Sequence, residues 1–96
     1  MYLVVSRWEA LPGRETEFER AGPAVGAVLR DQPGVIMAEV FVSNGQHIAV
    51  HAYQDESTYK KLVYDPEGRF ARAVAANHLE ETARWIGTES GEALPH

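Results

Sequence analysis

Four stretches of the chain carry the alternating or continuous apolar pattern that is typical of β-strands. They cover residues 2–8, 35–43, 47–54 and 79–88. In the third stretch His47, His51 and Tyr53 share one face while apolar residues fill the other, because strand side chains alternate. Both faces of this strand therefore need cover. Asn44-Gly45, which precedes it, predicts a tight hairpin with the second strand, since both residues tolerate positive φ.

The last stretch fits two patterns. A helical turn over residues 80–82 is one interpretation, and a strand that continues to Thr88 is the other. As a strand it would carry on one face Thr82, Arg84, Ile86 and Thr88. The polar residues 89–96 that follow predict a loose C-terminal tail.

Helical periodicity fills the segments between the strands. A first helix is predicted to begin near Arg14, and Pro23 should kink or split it. A second helix is predicted to follow Asp55 or Ser57, either of which can serve as its N-cap, and a third to span residues 69–77. The first helix has an apolar stripe made of Phe18, Gly22, Val25 and Leu29.

The predicted order is strand, helix, strand, strand, helix, strand. This order is that of an α+β, ferredoxin-like split βαβ fold, in which helices cover one face of a four-stranded antiparallel sheet. Residues 1–88 form the single predicted domain. The uncovered sheet face is also apolar, so the sequence predicts a homodimer formed through the sheet faces.

Composition excludes several classes of function. The chain has a net charge of −5, no cysteine and scattered basic residues, so it predicts neither nucleic-acid binding nor a thiolate site. No apolar run is long enough to cross a membrane, and the N-terminus lacks a signal peptide's basic flank, which favours a cytoplasmic location. Neither metal-ligand spacing nor a nucleotide-binding glycine motif is present, so no metal site is predicted.

Three motifs, in this order and spacing, resemble the antibiotic biosynthesis monooxygenase (ABM) family of the dimeric α+β barrel superfamily. They are Leu11–Glu19 at the entry to the first helix, Gln32–Val35 at the entry to the second strand, and Ala52–Tyr59 between the third strand and the second helix. The resemblance implies a homodimer whose sheets form a shared barrel, with a ligand pocket between each sheet and its own helices. It also implies one of several activities, since the family includes cofactor-independent oxidation of phenols and anthrones, and haem breakdown.

The chain departs from both of those branches at their functional positions. Where the haem-degrading members have an asparagine on the first strand and a tryptophan on the second helix, this chain has Ser6 and Leu62. Only His78 approximates their haem-ligating histidine, and it lies several residues late. The tryptophan, tyrosine, asparagine and arginine set of the quinone-forming members has no clear counterpart.

The candidate catalytic residues are His51 and Tyr53. His51 would act as a general base on a phenolic proton, because imidazole titrates near neutral pH, and Tyr53 would donate a hydrogen bond to the developing oxyanion. The competing interpretation makes both residues part of the core or of the dimer interface. The candidate substrate-binding residues are Ser6, Trp8, Tyr59, Leu62, Tyr64, Phe70 and His78. Trp85 is assigned to packing, and His47, beside the hairpin turn, to solvent.

The leading hypothesis is therefore a homodimeric, cofactor-independent monooxygenase that acts on a small phenol or anthrone. The first alternative is a protein that binds haem or another hydrophobic ligand without turnover, with His78 as the haem ligand. An isomerase on the same fold is the second alternative. No cofactor is needed for the leading hypothesis.

Overall fold

A computed structural model describes residues 1–95, and His96 lies outside the described residues. The predicted order of elements is confirmed, with one short helix added before the last strand. The elements are β1 (Tyr2–Ala10), α1 (Glu15–Arg30), β2 (Val35–Ser43), β3 (Gln46–Tyr53), α2 (Glu56–Val63), α3 (Arg69–Ala76), α4 (Leu79–Thr82) and β4 (Ala83–Glu92).

The four strands form one antiparallel sheet in the order β2-β3-β1-β4, as predicted for the split βαβ fold. Side chains of β1 point alternately to the two faces of the sheet. Tyr2 and Val4 lie buried beneath the helices on what we call the helix-covered face, while Leu3 and Val5 lie on the outer face. On β3, His51 pairs with Val4 and so shares the helix-covered face. The helix-covered face therefore carries side chains of β1, β3 and β4 next to one another.

The last strand differs from the prediction in phase and in length. Opposite Arg7 and Trp8, β4 contains one extra residue, so Trp85 and Thr88 fall on the same face of the strand instead of on opposite faces. The loose tail predicted from residue 89 is wrong for residues 89–92, because these continue the pairing with β1 to the end of β4. Residues 80–82 belong to α4, so the helical interpretation holds there.

The predicted split of the first helix at Pro23 is wrong, because α1 is continuous from Glu15 to Arg30. A proline inside a helix costs about 3 kcal/mol or more through the lost hydrogen bond and the ring clash. Phe18, Val25 and Leu29 lie on both sides of Pro23 and are almost fully buried. Each such side chain contributes about 1.5–3 kcal/mol on burial, so their packing against the sheet outweighs the cost of the proline.

The turn from α1 into β2 depends on Gly34, which has a φ of +87°. A Cβ atom at this position would lie 2.7 Å from the Cγ2 atom of Thr58. The carbonyl oxygen of Gly34 accepts a hydrogen bond of 2.8 Å from the N–H of Gln54, directly after β3, so the backbone there cannot shift without breaking this contact. Only glycine fits this position without strain.

We expect Gly34→Ala to lower the free energy of unfolding by about 2–3 kcal/mol, from the positive φ and the contact with Thr58 together. Gly13→Ala is the matched control, since Gly13 has a φ of +81° and nothing within 4 Å of its Cβ position. Its cost should be about 1–2 kcal/mol, from the backbone alone. Urea unfolding of both variants measures the difference, and equal destabilisation would contradict the proposed clash.

Two hydrophobic clusters form the core between the sheet and the helices. One is built around Tyr2, Leu29 and Tyr53, and the other around Phe18 and Val25. Among the described residues, no helix combines the length and the apolar character that a bilayer crossing requires.

Candidate functional site

A cavity of about 250 Å³ lies between the helix-covered face and the helices, where the two hydrophobic clusters meet. Most of its wall is apolar, and its exposed lining residues, Glu80, Trp85 and Thr88, mark where it opens to solvent. A cavity of about 150 Å³ is enough to hold benzene, so this one has room for more than a single aromatic ring. The apolar lining residues include Val4, Phe18, Val25, Val40, Phe70 and Val74.

His51 contributes the imidazole of this cavity from the middle of β3. Its Nδ1 atom lies 3.0 Å from the Tyr53 hydroxyl oxygen, within hydrogen-bond distance. Its Nε2 atom has no hydrogen-bond partner among the described residues and is not sealed from solvent, so it is available to a ligand. Burial lowers the pKa of His51 to about 4, which makes the ring neutral at neutral pH.

Tyr53 lies behind His51 and is completely buried. Its ring packs against Tyr59 at a centroid distance of 5.1 Å, and burial, with Tyr59 adding, raises the pKa of its phenol well above the ordinary value. Tyr53 is not among the residues that line the cavity. Its hydroxyl group is therefore directed to His51, and the geometry gives it no contact with a ligand oxyanion.

Of the other predicted site residues, the structure brings four together around His51. These are Ser6, Trp8, Tyr59 and Phe70, all of which line the cavity. Tyr59 is buried, and burial raises the pKa of its phenol to about 12, so it is a neutral hydroxyl in the wall.

Three predicted site residues lie outside the cavity. Leu62 is half-buried and packs against the cluster around Tyr2 and Tyr53. Tyr64 is 64% exposed, with its ring edge-on to that of Tyr59 at 5.5 Å. His78 is exposed between α3 and α4, where its Nδ1 atom lies 3.0 Å from a carboxylate oxygen of Glu81.

Trp85 and Thr88 also line the cavity and were not predicted as part of a site. Trp85, which was assigned to packing, is 57% exposed at the cavity opening, and its indole N–H donates to the Thr88 hydroxyl oxygen at 2.9 Å. That oxygen also lies 2.8 Å from the hydroxyl oxygen of Ser6. The extra residue in β4 turns both side chains to this face, and no pattern in the sequence indicated it.

His47, predicted to lie in solvent, is instead 5% exposed. Its ring stands edge-on to Phe18 at 4.8 Å, and its Nε2 atom lies 3.3 Å from a carboxylate oxygen of Glu19. The prediction of a solvent-exposed His47 is wrong because Phe18 and Glu19 of α1 pack over this end of the hairpin. The position of His47 in the sequence, next to the turn, does not indicate this cover. His47 does not line the cavity.

No protein-family model and no curated protein matches the chain. Solved structures do match. SnoaB, a cofactor-independent oxygenase from Streptomyces nogalater, is 15% identical with a TM-score of 0.79, over 99% of this chain and 94% of that one. A structure described as an antibiotic biosynthesis monooxygenase is 15% identical with a TM-score of 0.78, over 99% of this chain and all of the other. The chain has the ABM fold.

The predicted resemblance to the ABM family is thus confirmed at the level of the fold. Rv0793 from Mycobacterium tuberculosis extends the likeness, with 13% identity and a TM-score of 0.77 over 99% of this chain and 96% of that one. Sequence identities this low establish the fold only, so the activity has to be argued from the residues of the cavity.

Within the ABM fold of this chain, the residue predicted as the haem ligand does not line the cavity. His78, the only residue that approximated a haem ligand, is outside the cavity and next to Glu81. The residues described by the structure also contain no group of three histidine, cysteine or acidic side chains arranged to hold a metal ion. We therefore derive no step that uses haem or a metal.

Proposed function

We propose that this ABM-fold protein is a cofactor-independent monooxygenase that oxidises a small, electron-rich aromatic of the phenol or anthrone type. One observation carries the proposal: a neutral His51, whose Nε2 atom has no hydrogen-bond partner among the described residues, lines a largely apolar cavity. The name of SnoaB, a cofactor-independent oxygenase of the same fold, supports it.

In the first step His51 takes a proton from the bound substrate at Nε2. The mechanism requires the His51 tautomer that carries its hydrogen on Nδ1, so that Nδ1–H donates to the Tyr53 hydroxyl oxygen at 3.0 Å and the lone pair lies on Nε2. Burial alone lowers the pKa of His51, with no neighbouring charge contributing. A phenolate beside the ring would supply the missing counter-charge and raise that pKa again, so the proton transfer produces an ion pair inside the cavity.

In the second step the substrate anion reduces dioxygen directly. For an anthrone, the activated methylene carbon loses two hydrogens and gains one oxygen atom as a carbonyl, while the second oxygen atom leaves as water. The carbon gives up four electrons and dioxygen accepts four, so no external reductant is required. The protein has to supply a base, a fixed orientation and a cavity that keeps water from the reactive anion.

Oxygen uptake by the purified protein with 1,8-dihydroxyanthrone and no added cofactor tests this proposal. We expect consumption of one dioxygen per substrate, above the uncatalysed rate, with the corresponding quinone as product. Heat-denatured protein at the same concentration is the control. A rate equal to that of the control, with substrate binding intact, would instead indicate a binding protein without turnover.

Tyr53 acts in this mechanism as a positioning residue. Replacing it with phenylalanine removes one neutral hydrogen bond to His51, worth about 0.5–1.5 kcal/mol, so we expect kcat to fall by about 3- to 10-fold with KM unchanged. Tyr64→Phe is the matched control, because Tyr64 is exposed and lies outside the cavity. An unchanged kcat in the Tyr53 variant, or an equal loss in both, would exclude the positioning role.

We propose also that the protein is a homodimer formed through the outer face of the sheet. Large apolar side chains there are exposed, among them Leu3 at 36%, Met37 at 37% and Phe41 at 49%.

Sedimentation should give a dimer for the native protein and a monomer for Phe41→Asp, because a charge buried without a partner is costly. Leu94→Asp, at an 85% exposed position beyond the sheet, is the control and should remain dimeric. A monomeric native protein would contradict this arrangement.

A further inference from the structure

Ser6 and Thr88, which we call the hydroxyl pair, form the second polar feature of the cavity. Their hydroxyl oxygens lie 2.8 Å apart across the β1–β4 pairing, and both residues line the cavity. The indole N–H of Trp85 donates to the Thr88 oxygen at 2.9 Å. The pair stands on the same face of the sheet as His51.

The number of hydrogens in this cluster fixes what it offers to a ligand. An indole N–H can only donate, so the Thr88 oxygen must accept from Trp85. The hydroxyl pair holds two hydrogens, and the bond between the two oxygens uses one of them. Whichever hydroxyl donates in that bond, the hydrogen of the other remains free to donate. No further protein acceptor for either hydroxyl occurs among the described residues.

From this geometry we infer that the hydroxyl pair binds a carbonyl oxygen of the substrate. The inference rests on the proposed function and narrows its substrate class to phenols that also carry a ketone or quinone carbonyl. The phenolic hydroxyl meets His51, and the carbonyl accepts the free hydrogen of Ser6 or Thr88. Trp85 acts as a positioning residue that keeps the Thr88 oxygen in its acceptor role.

The sheet register sets the separation of the two polar groups. His51 pairs directly with Val4, and Ser6 is two residues further along β1, so Ser6 is a diagonal neighbour of His51. Diagonal neighbours lie roughly 7–8 Å apart across a sheet. The two polar groups therefore start from separate backbone positions and can bind different oxygen atoms of one aromatic ligand. The apolar wall between them, including Val4 and Phe70, contacts its rings.

A matched pair of ligands tests the inference by binding alone. 6-Hydroxy-1-tetralone carries both the phenol and the carbonyl, and 5,6,7,8-tetrahydro-2-naphthol has the same skeleton without the carbonyl. Dissociation constants are measured by calorimetry under nitrogen, so that no oxidation takes place. The readout is the ratio of the two constants, which removes effects that are common to both ligands.

The variants differ in whether the cluster keeps a hydroxyl hydrogen that can donate to the ligand. Trp85→Phe keeps both hydroxyls and hence one free hydrogen, whereas the triple variant W85F/S6A/T88V has no donor left in the cluster. We expect the preference for the ketone to fall about fivefold from the single to the triple variant, the effect of one neutral hydrogen bond. Ser43→Ala, at an exposed hydroxyl at the end of β2, is the control and should match the native protein. An equal preference in the single and triple variants would overturn the carbonyl site, as would absence of binding of either ligand to the native protein.

A second measurement uses the native protein and does not depend on the folding of a variant. The carbonyl stretch of bound 6-hydroxy-1-tetralone should lie below its frequency in a hydrocarbon solvent, because a donated hydrogen bond weakens the C=O bond. A stretch at the hydrocarbon frequency would overturn the inference. Neither experiment involves turnover, so failure of the carbonyl site is distinguishable from failure of the monooxygenase proposal, which oxygen uptake decides separately.

Discussion

Replacing His51 with glutamine is expected to lower oxygen-dependent turnover by a factor of about 10²–10⁴, the usual contribution of a general base. Glutamine is polar and similar in size, but it cannot take a proton from the substrate. The variant should therefore fold and bind the aromatic ligand while losing kcat. Initial rates of oxygen uptake with 1,8-dihydroxyanthrone, alongside ligand affinity and near-ultraviolet circular dichroism, measure the three properties separately.

His78→Gln is the matched control for this experiment. His78 is exposed, lies next to Glu81 and is outside the cavity, so its replacement should leave the rate unchanged. Full turnover in the His51 variant would remove His51 from the mechanism. A rate loss in the His78 variant equal to that in the His51 variant would indicate a site other than the cavity.

The stability of the protein should depend on pH through the same histidine. His51 has a pKa of about 4 in the folded protein, against an ordinary value of 6.5, because burial disfavours its charged form. Between these two values the unfolded chain binds the proton and the folded chain does not, so stability falls as the pH drops. A pKa lowered from 6.5 to about 4 corresponds to a loss of about 3 kcal/mol in the free energy of unfolding on going from pH 7 to pH 4.

A comparison with His51→Gln isolates this contribution from those of other groups. Urea unfolding at several pH values and one fixed protein concentration should show that the native protein loses about 3 kcal/mol more than the variant between pH 7 and pH 4. The difference should be absent above pH 7, where His51 is neutral in both the folded and the unfolded chain. Parallel curves for the two proteins would mean that His51 is not desolvated in the folded state.

The fold was predictable because its determinants are local. Asn44 and Gly45 do adopt positive φ, of 52° and 76°, and join two strands whose alternation was readable in the sequence. Alternation also predicted that His51 shares a face with Tyr53, and Ser6 with Trp8, and the structure places these residues on the helix-covered face. Alternation with a period of two predicts which residues share a face as long as the strand contains no extra residue.

The errors arose where tertiary structure changes a local pattern. One extra residue in β4 reversed the phase after Ile86 and brought Trp85 and Thr88 together, which no spacing in the sequence indicates. Tyr53 shares the face of His51 as predicted, but the packing of α2 places Tyr59 against its ring and removes it from the cavity wall. Alternation specifies a face of the sheet, whereas access to a cavity depends on which helix covers that part of the face.

The origin of the oxygen atom in the product tests the central claim most directly. Chelator-treated protein without added cofactor would be incubated with 1,8-dihydroxyanthrone under ¹⁸O₂ in unlabelled water, and the quinone would be analysed promptly by mass spectrometry. A monooxygenase that uses dioxygen directly should give an enzyme-dependent product with one ¹⁸O atom. Labelled product formed no faster than in the absence of protein, or an enzyme-dependent product without the label, would contradict the account.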